Sequence, residues 1–358
     1  MHMKKLLFFA VTAAIAVSCA KTGEVIPVQG PSIGFDTWTS NLTKADGTSK
    51  HLAFPDGATF DVFGYKQAGE TKTTVFDGEA VTFDGTAWNY GTIRFWDRTT
   101  DKYVFYAISP AGIVVNNPTP AQTGLFVTND LTFSGKDQDV LIAKKKEVLK
   151  ASYGLEVGLE FQPVAALFDL KVKKAKNLKE ADLTINSITI NNIQTKGHVS
   201  VSEYEGDNTP KIIWTPNTSA PTSHFNNTHG ITPVTVPFTI KKGVEHGTAN
   251  SQFLINNLVV MPQTLADGQQ QMVIDYTVNF SGVTITRERT IDLNQFDLTD
   301  MEADKGRAES DQNTAPFVTT WDSGKHYTYY LTINADIIVF TATVSDWTDV
   351  NTFHYIVN

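Results

Sequence analysis

The chain has 358 residues, of which 38 are acidic and 29 are basic, and its formal net charge at pH 7 is −9. This acidic balance gives it no electrostatic attraction for nucleic acid or for an anionic membrane surface. The single cysteine excludes a disulfide within the chain and the zinc motifs that need several cysteines. We therefore expect no nucleic-acid partner and a fold that is stabilised by its core alone.

The N-terminus has the pattern of a secretory signal peptide. Lys4 and Lys5 are followed by an uncharged stretch at 6–17, which is too short to span a bilayer. Small or modest side chains precede Cys19, as a lipoprotein signal peptidase requires. We predict that residues 1–18 are a lipoprotein signal peptide and that Cys19 carries the lipid, which would anchor the protein in the outer membrane. The alternative is an ordinary cleaved signal peptide that leaves Cys19 unmodified.

Alternating apolar and polar residues dominate the rest of the chain and predict half-buried β-strands. The clearest runs lie at 155–162, 168–172, 234–240, 272–278 and 327–333. Glycine dipeptides that favour tight turns recur along the chain, at Asp56-Gly57, Asp77-Gly78, Asp84-Gly85, Asp267-Gly268 and Ser323-Gly324. Many short strands with frequent turns predict an all-β sandwich or barrel. One short helix is expected within residues 143–151.

The chain beyond the signal peptide is longer than one core usually holds, so two domains are expected. The best boundary lies between Leu155 and Leu167, after a lysine-rich connection at 140–150. Two polar stretches, residues 203–229 and 298–315, are predicted to be long surface loops. Such loops often carry binding sites, but solvated connections without a function are the favoured explanation here.

Motifs of catalytic or phosphate-binding sites are missing from the sequence, so we expect no enzyme activity, no cofactor and no metal site. His224, His229 and His246 have no carboxylate at a helpful spacing and are predicted to be surface residues. Aromatic residues at 93–96 and 103–106 could stack on carbohydrate, but in a sandwich such residues more often fill the core between sheets. The core interpretation is favoured.

Several segments, taken together and in order, resemble the fimbrillin-like family of Bacteroidales, the subunits and accessory proteins of type V pili. They are the signal peptide ending at Cys19, Phe95-Trp96 with the run 103–110, residues 139–143 with 159–172, residues 260–263, and residues 324–347. The positions at 163–165 depart from the family, which usually has a histidine there. The segments span nearly the whole chain after the signal peptide.

The resemblance implies two transthyretin-like β-sandwich domains in tandem, at 33–160 and 161–358, after a linker at 19–32. It also implies assembly by donor-strand exchange, in which a protease removes the first strand and a neighbouring subunit's strand fills the groove. The implied partners are other pilin subunits, with host or bacterial surface molecules as candidate ligands. The implied location is the outer membrane or cell surface.

Segments of this sequence correspond to the parts that such assembly needs. Residues 33–38 are the expected first strand. Lys44 is the candidate cleavage site, although the polar segment 41–50 lacks the arginine that the protease prefers in the best-known pili. Near the C-terminus, Phe353, Tyr355 and Val357 alternate along the chain. They are a candidate donor strand or, equally, the last strand of their own domain.

Two functions remain open from the sequence. The first is a structural or accessory subunit of a fimbria that is assembled by donor-strand exchange and involved in adhesion. The second is a lipid-anchored surface adhesin or ligand-binding lipoprotein that does not polymerise. The missing arginine favours the second, because an anchored protein need not lose its first strand.

Overall fold

The structure is a computed structural model that describes residues 30–39, 54–116, 119–133, 140–219, 223–226, 237–244, 252–295, 297–298, 317–334 and 338–346. Within these ranges the architecture is almost entirely β, as the sequence predicts. The exceptions are one α-helix, α1 (Pro120–Thr123), and short 3-10 turns at Lys150–Ser152, Lys176–Leu178 and Leu293–Gln295. No helix of the described part is long and apolar enough to cross a membrane.

The strands of the first half of the chain are β1 (Phe35–Thr39), β2 (Thr59–Ala68), β3 (Thr71–Phe83), β4 (Trp88–Tyr90), β5 (Lys102–Ser109), β6 (Val115–Asn116), β7 (Phe126–Thr128), β8 (Leu131–Thr132), β9 (Leu141–Ala143), β10 (Lys146–Leu149) and β11 (Val157–Pro163). Those of the second half are β12 (Ala166–Lys174), β13 (Asp182–Ile193), β14 (Lys196–Tyr204), β15 (Pro210–Pro216), β16 (Ser223–Asn226), β17 (Phe238–Ile240), β18 (Gln252–Val260), β19 (Gln263–Thr264), β20 (Gln271–Phe280), β21 (Val283–Asp292), β22 (Asp297–Leu298), β23 (Thr320–Trp321), β24 (Lys325–Ile333) and β25 (Ile338–Asp346).

The first sheet has the strand order β1-β11-β9-β5-β2-β3-β4, with β10 also paired to β5. The β1–β11 pair is parallel and the other pairs are antiparallel. One face of this sheet surrounds a first core, whose buried members all lie between residues 33 and 161. Gly78 was expected in a turn but forms a bulge in β3, where its φ of +76° leaves it unpaired between Asp77 and Glu79.

Two further sheets come from the second half of the chain. One has the order β18-β12-β24-β25-β22, and the other has the order β16-β13-β20-β21 with β17 also paired to β13. They enclose a second core, whose buried members all lie between residues 166 and 333. The alternation of buried and partly buried residues along β20 shows how the predicted period of two produces one core face.

A fourth sheet joins the two halves. Its order is β15-β14-β7-β6, with β8 also paired to β14, so a hairpin from the second half pairs with strands from the first. Beneath it lies a junction core that draws buried residues from both halves, including Tyr106, Leu167 and Val199. Gly124, at φ +68°, ends α1 so close to Tyr106 that a Cβ there would lie 2.2 Å from the ring.

Polar contacts also hold the β14–β15 hairpin against the first sheet. Lys144 Nζ lies 3.3 Å from Glu160 of β11 and 3.4 Å from Asp207 in the hairpin turn. The side-chain amide of Gln162 in β11 donates to the carbonyl of Pro210 at 3.4 Å. The prediction that residues 203–229 form one long surface loop is wrong, because β15 and β16 lie within this stretch.

The predicted helix within residues 143–151 is wrong. The segment instead contains the end of β9, strand β10 and a 3-10 turn. Val148 is buried while Glu147 and Leu149 on either side are exposed, a period of two that the run of lysines conceals. Pairing of β10 with β5 outweighs the helical propensity of lysine, glutamate and leucine.

The aromatic segments are largely core, as expected. Trp96, Tyr103, Phe105 and Tyr106 are all buried, whereas Phe95 is 40% exposed. Trp96 stacks on Tyr153 with ring centroids 4.8 Å apart. The core explanation is therefore confirmed for most of this set.

Candidate functional site: the slot of the first strand

Strand β1 lies in a slot that we define as the edge of β11, segment 94–96 and the side chains of the first core that contact Phe35. Its register against β11 runs from Phe35 opposite Val157 to Thr39 opposite Phe161. The chain just before the strand is bonded on its other side: the amide of Ile33 donates to the carbonyl of Arg94 at 2.8 Å. The five-residue strand is thus paired along one side with β11, and the residues just before it are bonded to segment 94–96 on the other side.

Phe35 is the centre of an aromatic cluster in the slot. Its side chain is 2% exposed and its ring contacts four others edge-on, with centroids 5.5–5.9 Å apart. The four rings belong to Phe60, Phe76, Tyr90 and Phe105. Each such pair contributes about 0.5–1.5 kcal/mol beyond the burial of its area. The first strand therefore supplies a central side chain of the first core.

Neighbouring residues of β1 point to the same side. Ile33 is 1% exposed and Thr37 is 0% exposed, in the period of two that a strand imposes. Asp36 lies on the opposite face, where its carboxylate accepts a hydrogen bond from the amide of Thr37 at 2.8 Å. The hydroxyl of Thr37 has no hydrogen-bond partner among the described residues.

Two polar side chains, Tyr90 and Asp97, form hydrogen bonds beside the slot. The hydroxyl of Tyr90 donates to the carbonyl of Ile33 at 2.6 Å, and burial raises the pKa of this tyrosine above its usual value. Asp97, next to Trp96, accepts from Lys66 Nζ at 2.8 Å. This hydrogen bond from Lys66, together with two from Thr99, lowers the pKa of Asp97 to about 2. At neutral pH Tyr90 therefore stays neutral and Asp97 stays ionised, so the charge beside the slot does not change there.

The chemistry that this arrangement offers is strand binding. Without β1, β11 would present an unpaired ladder edge, and the pocket of Phe35 would be open to water. A new strand that restored the ladder and filled the pocket would be bound by main-chain bonds and by side-chain burial together.

A second candidate is a cleft of about 790 Å³ between β15 and the segments 262–264 and 320–325. Its lining mixes acidic and basic side chains, such as Glu205 and Lys211. Trp321 at its wall is 1% exposed, and the indole N–H of Trp214 donates to the carbonyl of Val164. The cleft thus offers neither a net charge of one sign nor a fully open aromatic face for a sugar ring.

The site residues predicted from the sequence lie outside the described residues. These are Cys19, the cleavage candidate Lys44, and the donor-strand candidates Phe353, Tyr355 and Val357. Their assignments remain predictions. Most of the predicted loop 298–315 also lies outside the described part, as do His229 and His246. Among the described residues, no group of three or more His, Cys, Asp or Glu side chains could hold a metal ion.

The first strand was expected from the sequence, but the residues that receive it were not. Phe60 and Phe76, which contact Phe35, lie on the antiparallel pair β2 and β3. Phe60 and Val62, both buried, stand two apart in β2, a spacing that could have indicated one face of a strand. No local signal indicates that this face would meet β1.

Fold and slot together define an all-β protein of several sheets whose first strand is an edge element of its own core. A family model for fimbrillin-like proteins matches residues 43–347. The match covers most of the chain, so this protein belongs to the fimbrillin-like family, and the resemblance noted in the sequence motifs is confirmed.

Two known proteins illustrate the relationship. The fimbrium subunit Fim1C of Phocaeicola vulgatus is 28% identical over 120 residues, a match that covers 31% of this chain and 31% of that subunit. The chain thus matches less than a third of the length of this curated relative. A crystal structure of a fimbrial protein from Bacteroides vulgatus superposes with a TM-score of 0.59 at 15% identity, over 88% of this chain and 99% of that one. At this identity the similarity establishes the fold only.

Proposed function

We propose that this protein is a structural or accessory subunit of a cell-surface fimbria, involved in adhesion and assembled by donor-strand exchange at the slot of β1. Family membership supports a fimbrial rather than an enzymatic role. The observation that carries the mechanism is the slot itself. The first strand fills a buried groove and pairs, on one side, with the edge of β11.

The energetics of the slot explain why cleavage would be needed. Burial of Ile33 and Phe35 contributes about 3–6 kcal/mol gross, at about 1.5–3 kcal/mol for each side chain. While β1 is covalently tethered, its return to the slot is intramolecular, which disfavours a competing strand from another molecule. A cut after Lys44 would remove the tether, so that β1 could dissociate and a neighbouring subunit's strand could replace it.

The other parts of the proposal follow the same scheme. Lipid on Cys19 would carry the precursor to the outer membrane, and the tail with Phe353, Tyr355 and Val357 would be the donor strand. We also propose two transthyretin-like domains, near the predicted ranges 33–160 and 161–358. The separate memberships of the first and second cores support this division. Since β11 continues to Pro163, we place the crossing between β11 and β12.

A lipid-anchored adhesin or ligand-binding lipoprotein that never polymerises is the alternative. The central position of Phe35 favours it, because loss of β1 would remove a ring that contacts four others. The lack of arginine in segment 41–50 favours it as well. In this alternative β1 stays in place, and the protein binds host or bacterial surface molecules as a monomer.

Limited trypsin digestion distinguishes the two functions. If the slot accepts a donor strand, purified protein cut after Lys44 is expected to form SDS-resistant ladders on electrophoresis, because an inserted strand dissociates slowly. The control is the double variant Lys44→Gln and Lys50→Gln, which should stay uncut in this segment and monomeric. Deletion of residues 350–358 should abolish the ladders. Cut protein that remains monomeric would contradict assembly by strand exchange.

A further inference from the structure

Thr37 is an unusual residue in the slot of the first strand. Its side chain is fully buried on the core-facing side of β1, and its backbone pairs with Leu159 of β11, which is also fully buried. The hydroxyl oxygen of Thr37 has no hydrogen-bond partner in the described part of the chain. A buried hydroxyl that has lost water and gained no partner weakens the folded state.

Other buried polar atoms without a described partner occur in the first core, on the indole nitrogens of Trp88 and Trp96. Trp88 lies in β4 and Trp96 in segment 94–96, so neither belongs to β1 and neither would leave with it. Thr37 belongs to β1 and would leave with it. The hydroxyl of Thr37 is therefore the unsatisfied group whose cost changes when one strand replaces another.

We propose that Thr37 makes β1 a weak occupant of its own slot, and that the slot selects an incoming strand with a β-branched apolar residue at this position. Valine has the shape of threonine without the hydroxyl, so it would fill the same space at no cost in hydrogen bonding. This inference rests on the proposed strand exchange, to which it adds a direction: the resident strand holds the slot until a better-matched strand displaces it.

The partner that this slot fits is a strand from another subunit with an aromatic residue followed, two positions later, by valine or isoleucine. The aromatic ring would take the place of Phe35 and the β-branched residue that of Thr37. In this chain, Tyr355 and Val357 have that spacing. A second copy of the chain is therefore the partner to which the proposal commits.

The substitution Thr37→Val in the full-length protein tests the proposal without any partner. Hydrogen exchange of the β1 amides, measured by mass spectrometry, is expected to slow by about tenfold, the ratio given by about 1.4 kcal/mol. The denaturant midpoint should rise or stay the same. Unchanged or faster exchange in β1 would overturn the proposal, because it would show that the hydroxyl costs nothing or has a partner.

Thr128→Val is the matched control. Thr128 is also buried in a strand, but its hydroxyl accepts a hydrogen bond from the amide of Val199 at 3.0 Å. The same substitution should therefore lower the denaturant midpoint, since it leaves that amide without an acceptor. If Thr128→Val and Thr37→Val both raised stability, a general preference for valine in strands would explain the result and the proposal would fail.

A competition experiment connects the residue to exchange. Full-length protein cut by trypsin is mixed with synthetic peptides of residues 32–39 that carry either threonine or valine at position 37. The valine peptide is expected to replace the resident strand about tenfold more effectively. Equal competition by the two peptides would overturn the proposal. If the valine peptide wins but the cut protein forms no ladders, the proposed function fails while the assignment of Thr37 stands.

Discussion

Phe35→Ala is expected to lower the free energy of unfolding by about 3–5 kcal/mol, the cost of truncating a buried phenylalanine. The ring of Phe35 contacts four others in the first core, and an alanine would leave a cavity among them. The strand that carries it has only five residues, so the burial of Phe35 is a large part of what holds the strand in the slot. Urea titration followed by circular dichroism measures the loss.

Phe95→Ala is the control for this substitution. Phe95 is 40% exposed and lies beside the start of β1, where it pairs with Ser32. Its truncation should cost less than about 1 kcal/mol, as is usual for exposed positions. Similar losses for Phe35→Ala and Phe95→Ala would show that Phe35 is not central to the first core.

Lys174→Met, in the second half of the molecule, is expected to lower the free energy of unfolding by about 1–3 kcal/mol. The ammonium group of Lys174, on a residue that is 3% exposed, donates to the carbonyls of Lys241 at 2.7 Å and Ala181 at 2.8 Å, and more weakly to that of Lys179. Without the ammonium, the carbonyl of Ala181 loses this donor, at a cost of about 1–3 kcal/mol. The carbonyl of Lys179 keeps the amide of Gly243 at 2.8 Å, and that of Lys241 keeps a weak bond from the amide of Val244 at 3.4 Å. Part of the cost is offset, because burial opposes the charge and lowers the pKa of Lys174.

Lys176→Met controls for the loss of a positive charge. Lys176 is exposed, two residues beyond Lys174, and its substitution should change the free energy of unfolding by less than about 0.5 kcal/mol. Thermal and urea unfolding of both variants measure the difference. If Lys174→Met proved as stable as the parent, the ammonium would not be a structural link between the end of β12 and the carbonyls at positions 181 and 241.

Much of the strand content follows from local pattern. The alternating run at 272–278 lies within β20, and the run at 327–333 lies within β24. Gly85, Gly268 and Gly324 have the positive φ that their dipeptides predict. These features depend on the period of two and on glycine's freedom, both of which are visible in a few consecutive residues.

Pairing between distant segments could not be predicted in the same way. The partner of β1 is β11, more than a hundred residues later in the chain, and no local pattern specifies it. Strand β15 was not predicted because it has proline at both ends, although sheets tolerate proline at strand ends and edges. Within β14, Val199 and Val201 alternate with serine, a signal that its polar neighbours weakened.

The sequence predicts the strand that fills the slot but not the pocket that receives it. Residues 33–38 were expected to be a first strand because the resemblance to fimbrillin-like proteins implies one, and β1 (Phe35–Thr39) overlaps them. The depth at which Phe35 is buried and the isolated hydroxyl of Thr37 depend on side chains from β2, β3, β5 and β11. Such properties follow from three-dimensional packing alone.

Mass spectrometry of the protein's N-terminus, on material sheared from the cell surface, tests strand exchange most directly. If the slot exchanges its strand during assembly, the mature protein in the fimbrial fraction begins at Ala45, directly after Lys44, and residues 1–44 are missing. If the mature protein in that fraction begins at a lipid-modified Cys19 and keeps Phe35, the first strand has never left its slot. That result would contradict assembly by strand exchange and would support the anchored adhesin.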